Sequence, residues 1–407
     1  MTHSEWQEGV VSRIPAWVYS DEDLYRRELE RIFYGPHWSY VGLEVELPGP
    51  GAFRTTMIGE RSVIVTRNDE GDIHVVENRC AHRGVRFCQE RSGTADRLTC
   101  PYHKWSYGLD GSLMGLPFRK GFKGQGGMPE DFELSANGLT RLKVARHNGL
   151  IMASFDPDAP PFADYIGPEV MHYVSRVFDG RPLKLLGYSR QRIPGNWKLM
   201  QENIKDPYHP GLLHAWFVTF GLWRADQTSQ MVMDAQGRHA SMISRRNAGG
   251  AGEATQGVDT FKAEMALNDP RLLDVVPEAF WNGPSVVMTT LFPSLIIQQQ
   301  VNSLSTRQII PRGPGTFDFV WTHFGFEDDD EAMTNRRLLQ ANLFGPAGFV
   351  SADDGEVIEG AQQGLSQSPD SEVLVELDGR DVAPTPHMVT ETLIRGMYRY
   401  WRGVMEV

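Results

Sequence analysis

The 407-residue chain holds three cysteines, and all three fall in one short segment: Cys80, Cys88 and Cys100. An odd number of thiols so close together makes a poor disulfide framework and a better metal site. Two of them have a histidine nearby, in Cys80-Ala-His82 and Cys100-Pro-Tyr-His103. Two arms that each carry one thiolate and one imidazole suit a two-iron, two-sulfide cluster, with both thiolates on one iron and both imidazoles on the other. The competing chemistry is structural zinc, but zinc knuckles usually pair thiolate with thiolate on one arm and imidazole with imidazole on the other. Neutral imidazoles in place of two thiolates leave a cluster less negative, and so a readier electron acceptor. Cys88 has no histidine partner and reads as a small buried residue. Trp105 and Tyr107 either shield the cluster or are ordinary strand aromatics.

A second group lies in Asn196-Trp-Lys-Leu-Met-Gln-Glu-Asn-Ile-Lys-Asp-Pro-Tyr-His-Pro-Gly-Leu-Leu-His, which gathers Glu202, Asp206, His209 and His214. The plain alternative is a polar helix face. Residues five apart on an undistorted α-helix point about 140° away from each other, so His209 and His214 could not share a metal on one. Pro207, Pro210 and Gly211 sit where a break or π-bulge would bring them together. Two imidazoles and one carboxylate form the facial set of non-haem Fe(II) oxygenases, with positions left open for dioxygen.

These groups need elements to hold them. Residues 15–34 read as a helix, with Ser20 as N-cap and Leu24, Leu29, Ile32 and Phe33 on one stripe. From Trp38 to about Asp156 the chain alternates in short segments, such as Ser62–Arg67 and Ile73–Asn78, broken by turn residues. The expected division is therefore 1–37 as a helical part of a catalytic domain, 38–156 as an all-β module, and 157–407 as the rest of the catalytic domain. Within the last part, 285–310 and 316–326 read as antiparallel strands, and 330–344 and 387–404 as helices. Leu393, Met397, Tyr400, Trp401 and Val404 form the stripe of the second helix. Asn247-Ala-Gly-Gly-Ala-Gly-Glu reads as a mobile loop. Neither Gly121–Gly127 nor Gly249–Gly252 completes a dinucleotide fingerprint. A net charge of −12 argues against nucleic acid or an anionic membrane as partner. No stretch approaches the roughly 18 apolar residues of a membrane span, and no signal peptide opens the chain, so a cytoplasmic location is expected.

The order Cys-x-His, Cys-x-x-His, then Glu-x-x-x-Asp-x-x-His-x-x-x-x-His resembles the large subunits of the Rieske ring-hydroxylating oxygenases. The resemblance runs over nearly the whole chain and includes Gly345-Pro-Ala-Gly-Phe-Val-Ser-Ala-Asp-Asp. It implies an α+β protein: an all-β Rieske [2Fe–2S] domain and a catalytic domain of antiparallel sheet covered by helices, of the helix-grip type. By the same resemblance Cys80, His82, Cys100 and His103 hold the cluster, and His209, His214 and Asp354 hold one mononuclear Fe(II), with Asp353 the less favoured aspartate. Asn203 would sit near the iron. Asp206 would link a triad histidine to a cluster histidine of the next subunit. Lys104 departs from the glycine that many relatives have after the second cluster histidine.

The implied activity uses O2, with electrons from NADH arriving through a separate reductase and ferredoxin, to hydroxylate an aromatic ring. The interval from Glu202 to Asp206 is shorter than in naphthalene-type dioxygenases, which points to aromatic carboxylates such as salicylate and to addition of one oxygen atom. Another aromatic acid, such as anthranilate or an indole acid, or cis-dihydroxylation, is the alternative. The implied assembly is an α3β3 hexamer with a small β-subunit. A non-catalytic Rieske electron carrier would leave the second motif and the chain beyond residue 157 without a purpose. For the substrate pocket, Phe344, Phe220 and Trp223 are candidates. Strand alternation puts Gln298, Gln300 and Asn302 on one face, either inward towards a carboxylate or phenol or outward as a solvated surface.

Overall fold

A computed structural model describes residues 6–220, 227–245 and 268–407. Trp223 and the glycine-rich segment from Asn247 lie outside them. Two compact units emerge: Ile32–Pro160, and Met1–Arg31 together with Pro161–Val407. The chain enters through a short strand, β1 (Arg13–Pro15), and helix α1 (Glu22–Glu28). Its N-cap is Asp21 and not the expected Ser20: the Asp21 carboxylate accepts the Leu24 N–H at 2.6 Å. A carboxylate also suits the positive end of the helix dipole, which a hydroxyl answers less well.

The Ile32–Pro160 unit is all β. Its strands are β2 (Ser39–Leu43), β3 (Ala52–Ile58), β4 (Arg61–Arg67), β5 (Ile73–Glu77), β6 (Ser92–Thr94), β7 (Leu98–Thr99), β8 (Ser106–Tyr107), β9 (Leu113–Gly115), β10 (Lys143–His147) and β11 (Leu150–Ser154). They form three sheets, ordered β10-β11-β2, β5-β4-β3-β6 and β7-β8-β9. The hairpin from β4 to β5 turns at Asn68, whose backbone and side chain both bond Asp72, at 3.0 and 2.7 Å. Ile64, Val76, Leu98 and Tyr107 pack into one core with Cys80 and Cys100.

The second unit carries α2 (Phe162–Ile166), α3 (Pro168–Val177), β12 (Leu183–Ile193), α4 (Trp197–Lys205), α5 (Pro210–Leu213), α6 (Ala215–Thr219), β13 (Thr228–Met233) and β14 (Ala240–Arg245). It continues with β15 (Val286–Leu291), β16 (Leu295–Gln300), β17 (Ser303–Pro311), β18 (Phe317–Phe326), α7 (Glu331–Phe344), α8 (Phe349–Gln367), β19 (Glu372–Leu374) and α9 (Thr392–Met405). One antiparallel sheet runs in the order β12-β18-β17-β16-β15-β14-β13, and β19 pairs with β1. Every residue of β17 is buried, whereas the edge strand β12 alternates with exposed positions. Central strands of this sheet are thus covered on both faces, as the α+β expectation requires.

The helix expected over 387–404 begins only at Thr392, and Tyr398 joins its buried stripe. Helix α8 was not foreseen, because Gly355, Gly360 and Gly364 dilute its helical signal. Gly355 has a packing reason: a Cβ there would come within 2.5 Å of Gln191 Nε2 on β12. Helix α4 is pinned by a buried ion pair, Lys198 Nζ to Glu28 Oε1 at 2.7 Å. The Trp197 and Trp401 indoles donate to the same carboxylate at 2.9 and 2.8 Å.

Candidate metal centres and active site

Cys80 and Cys100 stand at the start of two loops with the same hydrogen-bond plan. Cys80 N–H donates to Val85 O at 2.9 Å, and Gly84 N–H returns to Cys80 O at 2.8 Å. In the other loop Cys100 N–H donates to Trp105 O at 2.9 Å, and Lys104 N–H returns to Cys100 O at 3.0 Å. Both thiols are buried. The two imidazoles lie outside them, with the His82 and His103 ring centroids 4.7 Å apart. His82 stacks on Trp105 at 4.8 Å, and the Tyr107 hydroxyl lies 3.2 Å from Cys80 Sγ. Lys104 takes the place that Gly84 holds in the twin loop, and both have positive φ, 56° and 70°. That is why glycine fits the position, and why lysine there is strained. Cys88 is buried apart from the pair, its carbonyl accepting from Asn78 Nδ2 at 2.8 Å. Thiols inside and imidazoles outside fit a cluster whose histidine-bound iron faces the surface.

The second site depends on a broken helix. Helix α4 ends at Lys205, Asp206-Pro207 leaves the helical path, and α5 and α6 restart as short turns around His214. The sequence requires a break or a π-bulge, and the break is what forms. His209 and His214 then meet Asp354 of α8: Asp354 Oδ1 is 3.6 Å from His209 Nε2 and 3.3 Å from His214 Nε2. The three ligand atoms lie within 4.8 Å of one another. Each Nδ1 is already engaged, His209 with the Asp206 carbonyl at 2.9 Å and His214 with Asp353 Oδ2 at 3.0 Å. Both Nε2 lone pairs are thereby free to face a shared ion, so this donor set fits a mononuclear iron. Asp353 orients a histidine while its neighbour Asp354 turns inward. Asn203 Nδ2 donates to Asp354 Oδ1 at 3.1 Å, and its own buried Oδ1 has no partner among the described residues.

Asp206 divides two tasks between its side chain and its main chain. Its Oδ1 accepts the Tyr208 and His209 backbone N–H groups, both at 3.1 Å, and stands 3.6 Å from His209 Nδ1. The carboxylate shapes the turn, and the carbonyl orients the ring. Burial opposes a charge on His209, but the Asp206 and Asp354 carboxylates outweigh it and push its pKa up to about 9. Burial alone would raise Asp354, yet His209 and His214 hold it well below the usual carboxylate range.

A pocket opens on the three ligands and is lined by Ile204, Phe217, Met231, Met242, Met288 and Val350. Among the candidate substrate contacts only Gln300 lines it. Phe344 and Phe220 instead pack in an apolar cluster with Trp216 and Phe217. Gln298 and Asn302 are fully buried, so the solvated-face reading is overturned. Nor do the three share a face: Asn302 lies beyond the end of β16 and holds the Val276 carbonyl and Glu278 at 2.7 and 2.8 Å. Sequence reasoning missed Arg307, which lines the pocket beside Gln300. Its signal was a lone cation in a strand that is otherwise apolar or uncharged.

A family model described as the catalytic domain of ring hydroxylating alpha subunits matches residues 172–407, and a model of the Rieske [2Fe-2S] domain matches residues 37–125. The large oxygenase component of a salicylate 5-hydroxylase from Ralstonia sp is 64% identical, over 98% of this chain and 96% of its own length. The large subunit of an anthranilate 1,2-dioxygenase from Burkholderia cepacia is 38% identical, over 97% of this chain and 93% of its own. A naphthalene 1,2-dioxygenase solved with indole in its active site shares the fold, at a TM-score of 0.81 and 24% identity, covering 100% of this chain and 95% of that one.

Proposed function

This chain belongs to the ring-hydroxylating oxygenase alpha subunits, and from that premise we propose that it hydroxylates salicylate on the ring, one oxygen atom per turnover, to give gentisate. The observation that carries the reading is a mostly apolar pocket that opens on the convergent Nε2 atoms of His209 and His214 and the Asp354 carboxylate. Identity of 64% to a salicylate 5-hydroxylase component against 38% to an anthranilate dioxygenase subunit favours salicylate over anthranilate.

The family's [2Fe–2S] cluster supplies electrons and its mononuclear iron supplies dioxygen activation. Cys80, His82, Cys100 and His103 would hold the first, and His209, His214 and Asp354 the second. Asp353 and the Asp206 carbonyl fix the two imidazoles, Asn203 steadies Asp354, and the methionine-rich wall keeps water from the ring. A ferredoxin and an NADH-dependent reductase would deliver electrons, and a small β-subunit would complete an α3β3 hexamer. Asp206 Oδ1 is taken by backbone N–H groups, while its second oxygen makes no hydrogen bond among the described residues. That oxygen is the one to meet a cluster histidine, His82 or His103, of a neighbouring chain.

The test is turnover of salicylate by the oxygenase with its electron partners under labelled dioxygen. One labelled atom in gentisate is expected; a doubly labelled cis-diol, or no product from salicylate, would overturn the reading.

A further inference from the structure

Five arginines of the described residues are buried: Arg54, Arg238, Arg307, Arg337 and Arg395. Four of them have their charge or their donors answered. Arg54 pairs with Glu46, Arg238 with Asp234 at 3.1 Å, and Arg337 with Asp329 at 2.7 Å and also with Glu278. Arg395 donates to the carbonyls of Asp381 and Val375, each at 2.9 Å. Arg307 is the exception. It is 2% exposed, and among the described residues its one hydrogen-bond acceptor is Gln298 Oε1 and its buried Nε has no partner. Among the described residues no carboxylate pairs with it. Burial pushes its pKa down to about 9 against the pull of the Asp354 carboxylate, which is near enough to be felt but forms no ion pair with it.

A cation buried without a paired counter-ion loses its hydration with little in exchange. A protein keeps one in a pocket wall when a ligand brings the missing anion. We propose that Arg307 receives the carboxylate of the aromatic substrate and that Gln300 holds the adjacent ring substituent; this deepens the salicylate reading and rests on it.

The strand register builds the arrangement. Gln298 and Gln300 alternate onto one face of β16, and Ser305 lies opposite Gln298 on β17, which puts Arg307 on the same face two residues on. Gln298 Oε1 accepts from both Arg307 and Ser305 Oγ, the latter at 3.2 Å, and Gln298 Nε2 donates to Gln300 Oε1 at 2.7 Å. The Gln300 Nε2 group is left to donate into the pocket, and Gln298 is a positioning residue for both neighbours. Trp321, opposite Arg307 on β18, lies under the guanidinium at 3.9 Å and fixes its plane. A planar guanidinium and a carboxylate match as two parallel hydrogen bonds. A hydroxyl on the next ring carbon then falls to Gln300. With the acid-bearing edge held on the sheet, the far edge of the ring is left for the iron ligands that share the pocket.

Equilibrium binding to the assembled oxygenase, followed by a probe's displacement of bound salicylate, tests this without turnover. The wild-type protein should prefer benzoate to benzamide, and salicylate to salicylamide, by on the order of 100-fold. Arg307→Gln should erase that preference while keeping the cluster absorption and bound iron, and Arg307→Lys should restore part of it. Gln300→Leu should weaken salicylate more than benzoate. Equal wild-type binding of acid and amide overturns the proposal, even if no Arg307 variant folds, and so does an Arg307→Gln protein that weakens acid and amide alike. If benzoate binds through Arg307 but salicylate is not hydroxylated, the anchor stands and the substrate reading falls.

Discussion

The cluster site and the iron site are built on opposite plans. Cys80, His82, Cys100 and His103 sit on two loops whose hydrogen bonds close within five residues, and the imidazoles reach the surface. His209 and His214 come from a broken helix, Asp354 from a helix 140 residues later, and their side chains lie largely out of solvent. A site written into local spacing can be read residue by residue. A site assembled by tertiary packing offers its two neighbouring histidines to the sequence and hides the distant carboxylate.

Cys100→Ser and Asp354→Ala give the sharpest test of that contrast. The first should abolish the red-brown cluster absorption, which Cys88→Ser should leave intact. The second should remove mononuclear iron and hydroxylation while leaving the cluster spectrum unchanged. Loss of both signals from either substitution would show that the two sites do not form independently. Asp353→Asn should lower iron affinity by about 10- to 100-fold, because it disturbs only the acceptor of His214 Nδ1. Metal titration of the apo protein measures this.

Glu202 separates the buried plan from the exposed one by pH. Burial raises its pKa to about 7, with the Tyr398 and Tyr19 hydrogen bonds and Lys198 pulling the other way. Its folded pKa is above the unfolded value of 4.5, so its contribution is fully present below pH 4.5 and lost as pH rises through about 7. Denaturant titrations of Glu202→Gln and wild type should diverge across that window, the variant gaining up to about 3 kcal/mol relative to wild type. A gap that stays constant from pH 4.5 to 7.5 would remove the buried charge from the argument. The smallest effect belongs to a cluster loop. Lys104→Gly should stabilise the protein by about 0.5 kcal/mol, since left-handed backbone favours glycine there and its entropy cost offsets part of the gain. Thermal denaturation followed at the cluster absorption reads it.

The same contrast explains what was legible. Thiol and imidazole spacing announced the cluster, and Pro207, Pro210 and Gly211 announced a break between the two histidines. Asp354 came only through resemblance, because no periodicity links α8 to α4. Its helix was missed for its glycines, which permit close packing on β12 while weakening the helical pattern. The strands of the sheet were readable as runs, but which face of β16 turned inward was not. Alternation gives two faces and no preference between them until both are covered. For that reason Gln298 stayed open between pocket and solvent and Arg307 was overlooked, although both look towards the same layer.

The clamp on α4 has a consequence in time. Glu28 holds Trp401 across 373 residues of sequence and Lys198 across 170. The helix that leads into His209 is therefore secured only after the ribosome has delivered residue 401, since contacts so distant in sequence form late. The Ile32–Pro160 unit has no such wait: its strands and both cluster loops are contiguous in the chain. During synthesis the cluster unit can fold first, as domains generally do in order of emergence. Iron would then enter the second site only after residue 401 has emerged.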